Sequence, residues 1–586
     1  MSGKPLVIFD GRCGFCRIWI EYWKQLTGDR VDYAPSQEAG VRFPQIPPEN
    51  FSQSVQLVTA SGEVISGASA VFTILTYAPG LAWLSWLYQR LPGFAPLSEA
   101  AYKLIAGHRN FFDHVTRFTF GRSVSPLSYA RVEWLFLRIL ALIYCTAFWS
   151  LAVQITGLAG ARGILPAARY LEAAKETFGV RAYWLMPGLF WIAPGDTLLR
   201  ALCWAGVAIS IILFLGYWER FSLVSLYVLF LSLGTVGQDF LAFQWDMLLL
   251  EAGFLAIFLG SSKWIVFLFR WLLFRLMFLS GSVKLLSHDA SWRNLSAMSF
   301  HYFTQPLPTR LAWYAYQLPF WFQRFTTASV LVIELAVPWL ILGPRPWRSL
   351  AAWILLAFQT LIFLTGNYTY FNLLAMALCL FLFDDRALSR LRLGSRAIVT
   401  RPGAVFAMVA LVLLLSVFEL DGVFFDRRSE LENSVVRVAA PFGVVNTYGL
   451  FAVMTTTRPE IIVQGSLDGA TWLDYEFPFK PGNLQTPPRW AAPYQPRLDW
   501  QMWFAALSGF RGAPWFGNFM VRLLQGSPDV ARLLSKNPFP APPKYVRALL
   551  FDYEFTNWEE RRNTGAWWKR VPRGIYLRAI SLADVR

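Results

Sequence analysis

Nine runs of apolar residues, at 131–155, 198–218, 221–236, 244–259, 264–286, 326–343, 350–365, 370–383 and 404–420, dominate the middle of this chain. So many apolar runs in 586 residues, within a composition 55% hydrophobic and 17% aromatic, exceed what one water-soluble core can bury. A straight bilayer crossing takes roughly 20 apolar residues. Several of the runs are shorter, so the reading is a polytopic helical membrane bundle of about nine spans over 126–420, to within one or two. A first domain, 1–125, precedes it, and a soluble-looking domain, 421–586, follows.

The charges around these runs predict an orientation. Asp10, Arg12, Arg17, Glu21, Lys24 and Asp29 interrupt the first 30 residues, leaving no continuous apolar core for a signal peptide. The first domain is therefore expected in the cytoplasm. The fourth connection between runs carries Lys263, the sixth Arg345 and Arg348, and the eighth Arg386, Arg390, Arg392, Arg396 and Arg401; the short third and seventh carry no Lys or Arg. That bias agrees with an inside N-terminus, and an odd number of spans then places the C-terminal domain on the non-cytoplasmic side. The net charge of +16 is spread along these connections instead of forming one patch, so anionic lipid headgroups are the expected partners and nucleic acid is not.

Chemistry is concentrated near the N-terminus, where Asp10-Gly-Arg-Cys13-Gly-Phe-Cys16 follows the apolar run 6–9. A thiol in the first turn of a helix has its thiolate stabilised by unsatisfied N–H groups and the positive end of the helix dipole, which makes Cys13 the nucleophile. The three-residue offset places Cys16 on the same face, where it can resolve a mixed disulfide. The competing readings are an inert structural pair or half of a zinc site. The zinc site would need two further ligands, and only His108 and His114, far downstream, are available in this region. Redox exchange is favoured, with no metal and with a cytoplasmic thiol as reductant. The other cysteines, Cys145, Cys203 and Cys379, lie singly in apolar runs, and the domain beyond them is built without disulfides.

Strand signals at 55–60 and 63–65, a Ser61-Gly62 turn and a helical tail through Arg117 complete a small α/β unit. With Asp10-Gly-x-Cys13-Gly-x-Cys16, Gly67-Ala-Ser-Ala70 and the basic stretch 102–110, this region of about 115 residues resembles the DCC family of thiol-disulfide oxidoreductases. The resemblance implies a thioredoxin-like fold with Asp10 as part of the motif. It departs from thioredoxin in having no proline directly before the Val55 strand.

Within the apolar runs stand Asp246, Glu251, Arg270, Arg275 and Glu334, charges that generally face a bundle interior. Either they line a polar cavity for a substrate or quinone-like ligand, or they pair to fix helix packing, with Asp246 near the interface; pairing is favoured. Asp246 and Glu251, about 140° apart on a helix, form no tight dyad. Lys284 ends an apolar run, where snorkelling is favoured over service as a desolvated base. His301 lies among aromatics and reads as a packing residue, with no spacing that makes it a metal ligand.

Five ordered blocks carry a second resemblance: 244–253, Lys284 with 291–293, 301–308, 365–372 and 497–503 are similar to the lipase maturation factor family over roughly 130–575. In animals that family is resident in the endoplasmic reticulum and helps secreted lipases reach their active state, so exported clients, lipases among them, are implied partners. No catalytic residue transfers from it. A more distant likeness links Val283-Lys284 and Trp292 to the membrane domain of vitamin K-dependent gamma-carboxylases, where a lysine is the proposed base. It supplies a rival reading, a quinone-coupled or carboxylase-like enzyme with Lys284 as base, and a non-enzymatic chaperone with a regulatory redox domain is a third. Otherwise no cofactor is implied.

In the last domain, 460–466 and 472–477 flank Leu467-Asp-Gly-Ala470 as a hairpin, and 546–555 reads as another strand, giving a β-rich fold. Trp500, Trp503, Trp515, Trp567 and Trp568, with the Pro-rich run 478–496, either line a protein-binding surface or pack a core; their density favours the core. The fused redox domain and the missing export signal point to a bacterial inner membrane, with the reticulum membrane as the eukaryotic equivalent.

Overall fold

The computed structural model describes residues 3–121, 124, 128–396, 402–425 and 428–585. Residue 125, the expected end of the first domain, and Arg401 lie outside the described residues. The chain forms two compact units, one of residues 1–128 with 343–350, the other of residues 129–342 with 351–586.

The first unit is built on β1 (Leu6–Phe9), β2 (Asp32–Pro35), β3 (Gln56–Val58) and β4 (Val64–Ser66), in the order β2-β1-β3-β4. β1 and β2 are parallel, which requires a crossover, and α1 (Gly14–Thr27) supplies it. The other two pairings are antiparallel. Alternation along β1 sends Val7 to a cluster with Ile20, Leu57, Ala70 and Ile74. Ile8 goes to the opposite cluster, with Phe43, Ile46 and Phe51. A sheet covered on both faces explains the unbroken apolar run of β1, which opens directly into the Cys13 loop. α2 (Gly67–Thr76) begins at the expected Gly67. The unit is thioredoxin-like.

All nine apolar runs lie on helices, and among the described residues seven helices are long and apolar enough to cross a membrane, the lower end of the expected count. These are α3 (Ala130–Ala152), α4 (Asp196–Leu215), α5 (Glu219–Leu241), α7 (Lys263–Leu286), α9 (Phe320–Ile341), α10 (Arg345–Thr365) and α12 (Val405–Phe424), with the short α8 (Ala297–Thr304) between α7 and α9. α6 (Gln244–Ile257), with 14 residues, reaches about 21 Å, well short of a hydrocarbon core of about 30 Å. α11 (Phe371–Leu382) is shorter still. Both are apolar because they are surrounded by protein: Leu248, Leu249, Ala252, Leu374 and Leu378 are fully buried.

β5 (Arg458–Ser466) and β6 (Leu473–Asp474) form the expected hairpin. β7 (Tyr545–Phe555) pairs with β5 and with β8 (Trp568–Ile580), all antiparallel, in the order β6-β5-β7-β8. β8, mostly exposed and carrying Lys569, Arg570, Arg573 and Arg578, has no clean alternation and was missed from sequence. The five singled-out tryptophans are all buried and pack cores. α13 (Arg497–Ser508) shares the unit with the apolar helices and is itself largely buried.

Candidate functional site

Cys13 is the N-cap of α1, with extended backbone (φ −76°, ψ 114°), and its Sγ accepts the Cys16 backbone N–H at 3.2 Å. The sulfur thus takes the place of the usual capping oxygen and meets one of the helix's unsatisfied donors. Asp10 organises the loop without touching either sulfur: its Oδ1 accepts from Arg12 N at 3.0 Å and from Gln37 Nε2 at 3.1 Å. Gln37 Oε1 in turn accepts from Gly11 N at 3.1 Å. A Cβ on Gly11 would meet that Oε1 and Pro35 Cβ at 2.7 Å, so the motif requires glycine there.

Hydrogen bonding from the Cys16 side chain, with the Cys16 amide and the charge of Arg109, brings the Cys13 thiol down to about 6 against partial burial. The Cys16 thiol is pushed far upward, first by its hydrogen bond to Cys13, then by burial. One thiol is therefore a thiolate at neutral pH and the other is held protonated beside it, the polarity expected of nucleophile and resolving residue. Both cysteines are free. An apolar groove of about 230 Å³ beside Cys16 is lined by Phe9, Phe15, Trp19, Trp23 and Tyr102, with Arg109 at its edge. Among the described residues no group of three His, Cys, Asp or Glu side chains could hold a metal ion.

Of the five charges singled out in the apolar runs, Asp246, Glu251, Arg275 and Glu334 form ion pairs, through partners that sequence spacing did not indicate. Asp246 is 1% exposed and enclosed by protein. Its carboxylate receives Arg497 of α13 at 2.9 and 3.0 Å and the Tyr370 hydroxyl at 2.6 Å. Glu251 pairs with Arg275, and its other oxygen accepts from Asn446 N at 3.0 Å and from the Tyr448 hydroxyl at 2.7 Å. Arg275 also donates to Asn446 O at 2.9 Å. Arg270 meets no carboxylate among the described residues; it donates to Phe381 O at 2.8 Å and to the Tyr129 hydroxyl at 2.6 Å.

Lys284 does not snorkel. It is 3% exposed, donates to Glu334 at 2.7 Å and to Ser280 O at 3.1 Å, and lies 5.2 Å from the Trp292 ring centre. A carboxylate within reach inside the bundle removes the reason for the chain to extend to an interface. His301 packs edge-on against Phe451, with ring centres 5.0 Å apart, and its Nε2 is 3.5 Å from the Tyr368 hydroxyl; burial brings it down to about 4 and keeps it neutral. A third cluster, absent from the sequence reading, joins Arg458 to Glu460 at 2.8 Å and Lys480 to Glu460 at 3.0 Å, while Arg458 donates to the carbonyls of Phe303 and Pro306. Arg497 opens the 497–503 block, but nothing local names Asp246 as its partner; Arg458 carries no local signature beyond being a cation in an aromatic-rich domain.

These side chains lie in two stretches that match known family models: residues 131–390 match the lipase maturation factor transmembrane domain and residues 444–578 the lipase maturation factor C-terminal domain. Lipase maturation factor 2 of Gallus gallus is 35% identical over 581 aligned residues, covering 77% of this chain and 81% of the relative. The chain belongs to the lipase maturation factor family.

Other members of the family are similarly related. Lipase maturation factor 2 of Homo sapiens is 34% identical, over 77% of this chain and 82% of its own length. Lipase maturation factor 1 of Bos taurus is 34% identical, over 77% and 89%. Residues 7–114 match a different model, the DCC1-like thiol-disulfide oxidoreductase, so this family member carries a redox-type domain at its N-terminus. No solved structure matches the chain.

Proposed function

We propose that this membrane protein is a maturation factor for exported proteins, with lipases as the leading client class, and that Cys13 and Cys16 perform thiol-disulfide exchange within it. The observation that carries the redox part is the Cys13 sulfur capping α1 and accepting the Cys16 N–H at 3.2 Å. The names of the family's members support the client class.

In the reaction, the Cys13 thiolate attacks one sulfur of a client disulfide, forming a mixed disulfide and expelling the other client sulfur as a thiolate. Cys16 then loses its proton and attacks Cys13, releasing the reduced client and leaving a Cys13–Cys16 disulfide. A dithiol reductant returns two electrons and two protons to reset the pair. The mixed disulfide removes the Cys13 thiolate, which through its hydrogen bond is the main reason Cys16 holds its proton, so the first step prepares the second. The groove of aromatic side chains beside Cys16 suits an apolar client segment.

With seven crossings as with nine, an inside N-terminus would place the dithiol in the cytoplasm, the C-terminal region outside and Arg386 on the inner side. Trapping with the Cys16→Ser variant in native membranes tests function and topology together. An exported protein held on Cys13 until reductant is added supports redox-assisted maturation and reverses the topology. Cytoplasmic adducts keep the topology and make the dithiol a separate activity. Accessible thiols with no adduct refute the exchange role and leave a non-redox maturation factor.

A further inference from the structure

A cavity of about 490 Å³ in the helical unit, within the range of small-molecule sites, is not accounted for by the exchange reading. Its wall is mainly apolar, with Met277, Phe322 and Phe451 among its residues. Phe325 of α9 and Leu361 of α10 also line it and are 61% and 63% exposed, so the cavity opens on the flank of two membrane-length helices. An opening of that kind admits molecules from the lipid phase.

The inner wall holds Lys284, Glu334, His301 and Asn372. Lys284 and Glu334 form an ion pair and His301 is neutral, so the wall carries no net charge. A carboxylate or phosphate head would enter this apolar space without a counter-ion, at the cost of losing its hydration. Two hydrogen-bonding capacities are left over. Asn372 is fully buried and gives its Nδ2 to Gln359 Oε1 at 2.7 Å, while its Oδ1 has no partner among the described residues and calls for a donor. The Lys284 ammonium has three donors and makes hydrogen bonds to Ser280 O and to Glu334, which leaves one for an acceptor.

We infer that this cavity binds a single-chain, uncharged lipid whose head carries both a hydroxyl and a carbonyl, the chemistry of a monoacylglycerol. The acyl chain lies along the Phe322, Phe325 and Leu361 side; the hydroxyl donates to Asn372 and the carbonyl accepts from Lys284. This site does not depend on the dithiol, and its failure would leave the exchange reading untouched.

The test uses the full-length chain in membranes and a monoacylglycerol bearing a photoreactive diazirine in its acyl chain. Saturable labelling of α9 and α10, competed by unlabelled monooleoylglycerol, is expected. Leu361→Trp, an exposed position at the mouth, is expected to cut labelling at least tenfold with unchanged thermal stability. Asn372→Leu is expected to weaken competition about tenfold, the effect of one lost buried hydrogen bond. Labelling spread evenly over all lipid-facing helices, or unchanged by Leu361→Trp, overturns the proposal. So does equal competition by oleate, which has a charged head, or by a quinone, which has carbonyls but no hydroxyl. If Asn372→Leu does not fold, the Leu361→Trp variant and the competitor series decide the question by themselves.

Discussion

The dithiol and the charged interior of the helical unit are both polar sites, yet they are assembled in opposite ways. Cys13 and Cys16 are three residues apart, half-buried, and tuned by one helix start. The ion pairs join residues 24, 50 and 251 positions apart, nearly excluded from solvent, with most of their oxygens and nitrogens satisfied. A group that must react needs an accessible, titratable atom, which local backbone geometry supplies. A buried charge needs a partner from elsewhere in the fold, because desolvation must be offset by Coulombic attraction and further hydrogen bonds. Reactivity here is short-range in sequence and specificity of packing is long-range.

The largest effect is expected where that contrast is sharpest. Arg497→Met leaves Asp246 charged and unpaired in the interior, and such a change costs about 3–5 kcal/mol. A marked drop in Tm in detergent would register it. The double variant Arg497→Met with Asp246→Leu is expected to recover most of the loss; a loss no larger than that of an exposed pair such as Lys536 with Glu476 would break the comparison.

An intermediate effect is expected at the dithiol. The Cys13 thiol is lowered to about 6, so its alkylation rate should rise with a midpoint near pH 6, stay high above it, and fall as the pH drops through it. Cys16→Ala, which has no side-chain donor, removes the foremost cause of that lowering. The midpoint in the variant is expected to move upward, towards the ordinary thiol value of 9.0, as read by rate against pH. An unmoved midpoint would mean that the helix start alone tunes the sulfur.

The smallest effect belongs to Asp10→Asn. The Asp10 carboxylate opposes the Cys13 thiolate weakly, as the last of its influences, so removing its charge should shift the midpoint downward by less than Cys16→Ala raises it. The amide retains the contact with Gln37, and folding is expected to be unaffected.

The legibility of the molecule follows the same division. The β1 run, the Cys13 N-cap, the Gly67 helix start and the 458–474 hairpin were readable because each rests on contacts within about twenty residues of sequence. The apolar runs were readable as helices, but α6 and α11 looked like spans because burial in protein and burial in lipid demand the same apolar side chains. Lys284 was misjudged because its partner, Glu334, sits on another helix 50 residues away. β8 was missed because an edge strand exposed along most of its length has no buried face to impose alternation.

By itself, then, the sequence determined a redox-type α/β unit, a helical membrane region and a terminal region with antiparallel strands, since spacing and hydropathy act on neighbouring residues. Only the tertiary structure decided that the terminal region is built into the helical unit, with Arg497 on Asp246 and Asn446 and Tyr448 on Glu251. A buried charge does not specify its partner until the fold brings one within about 3 Å, and no local pattern encodes that meeting.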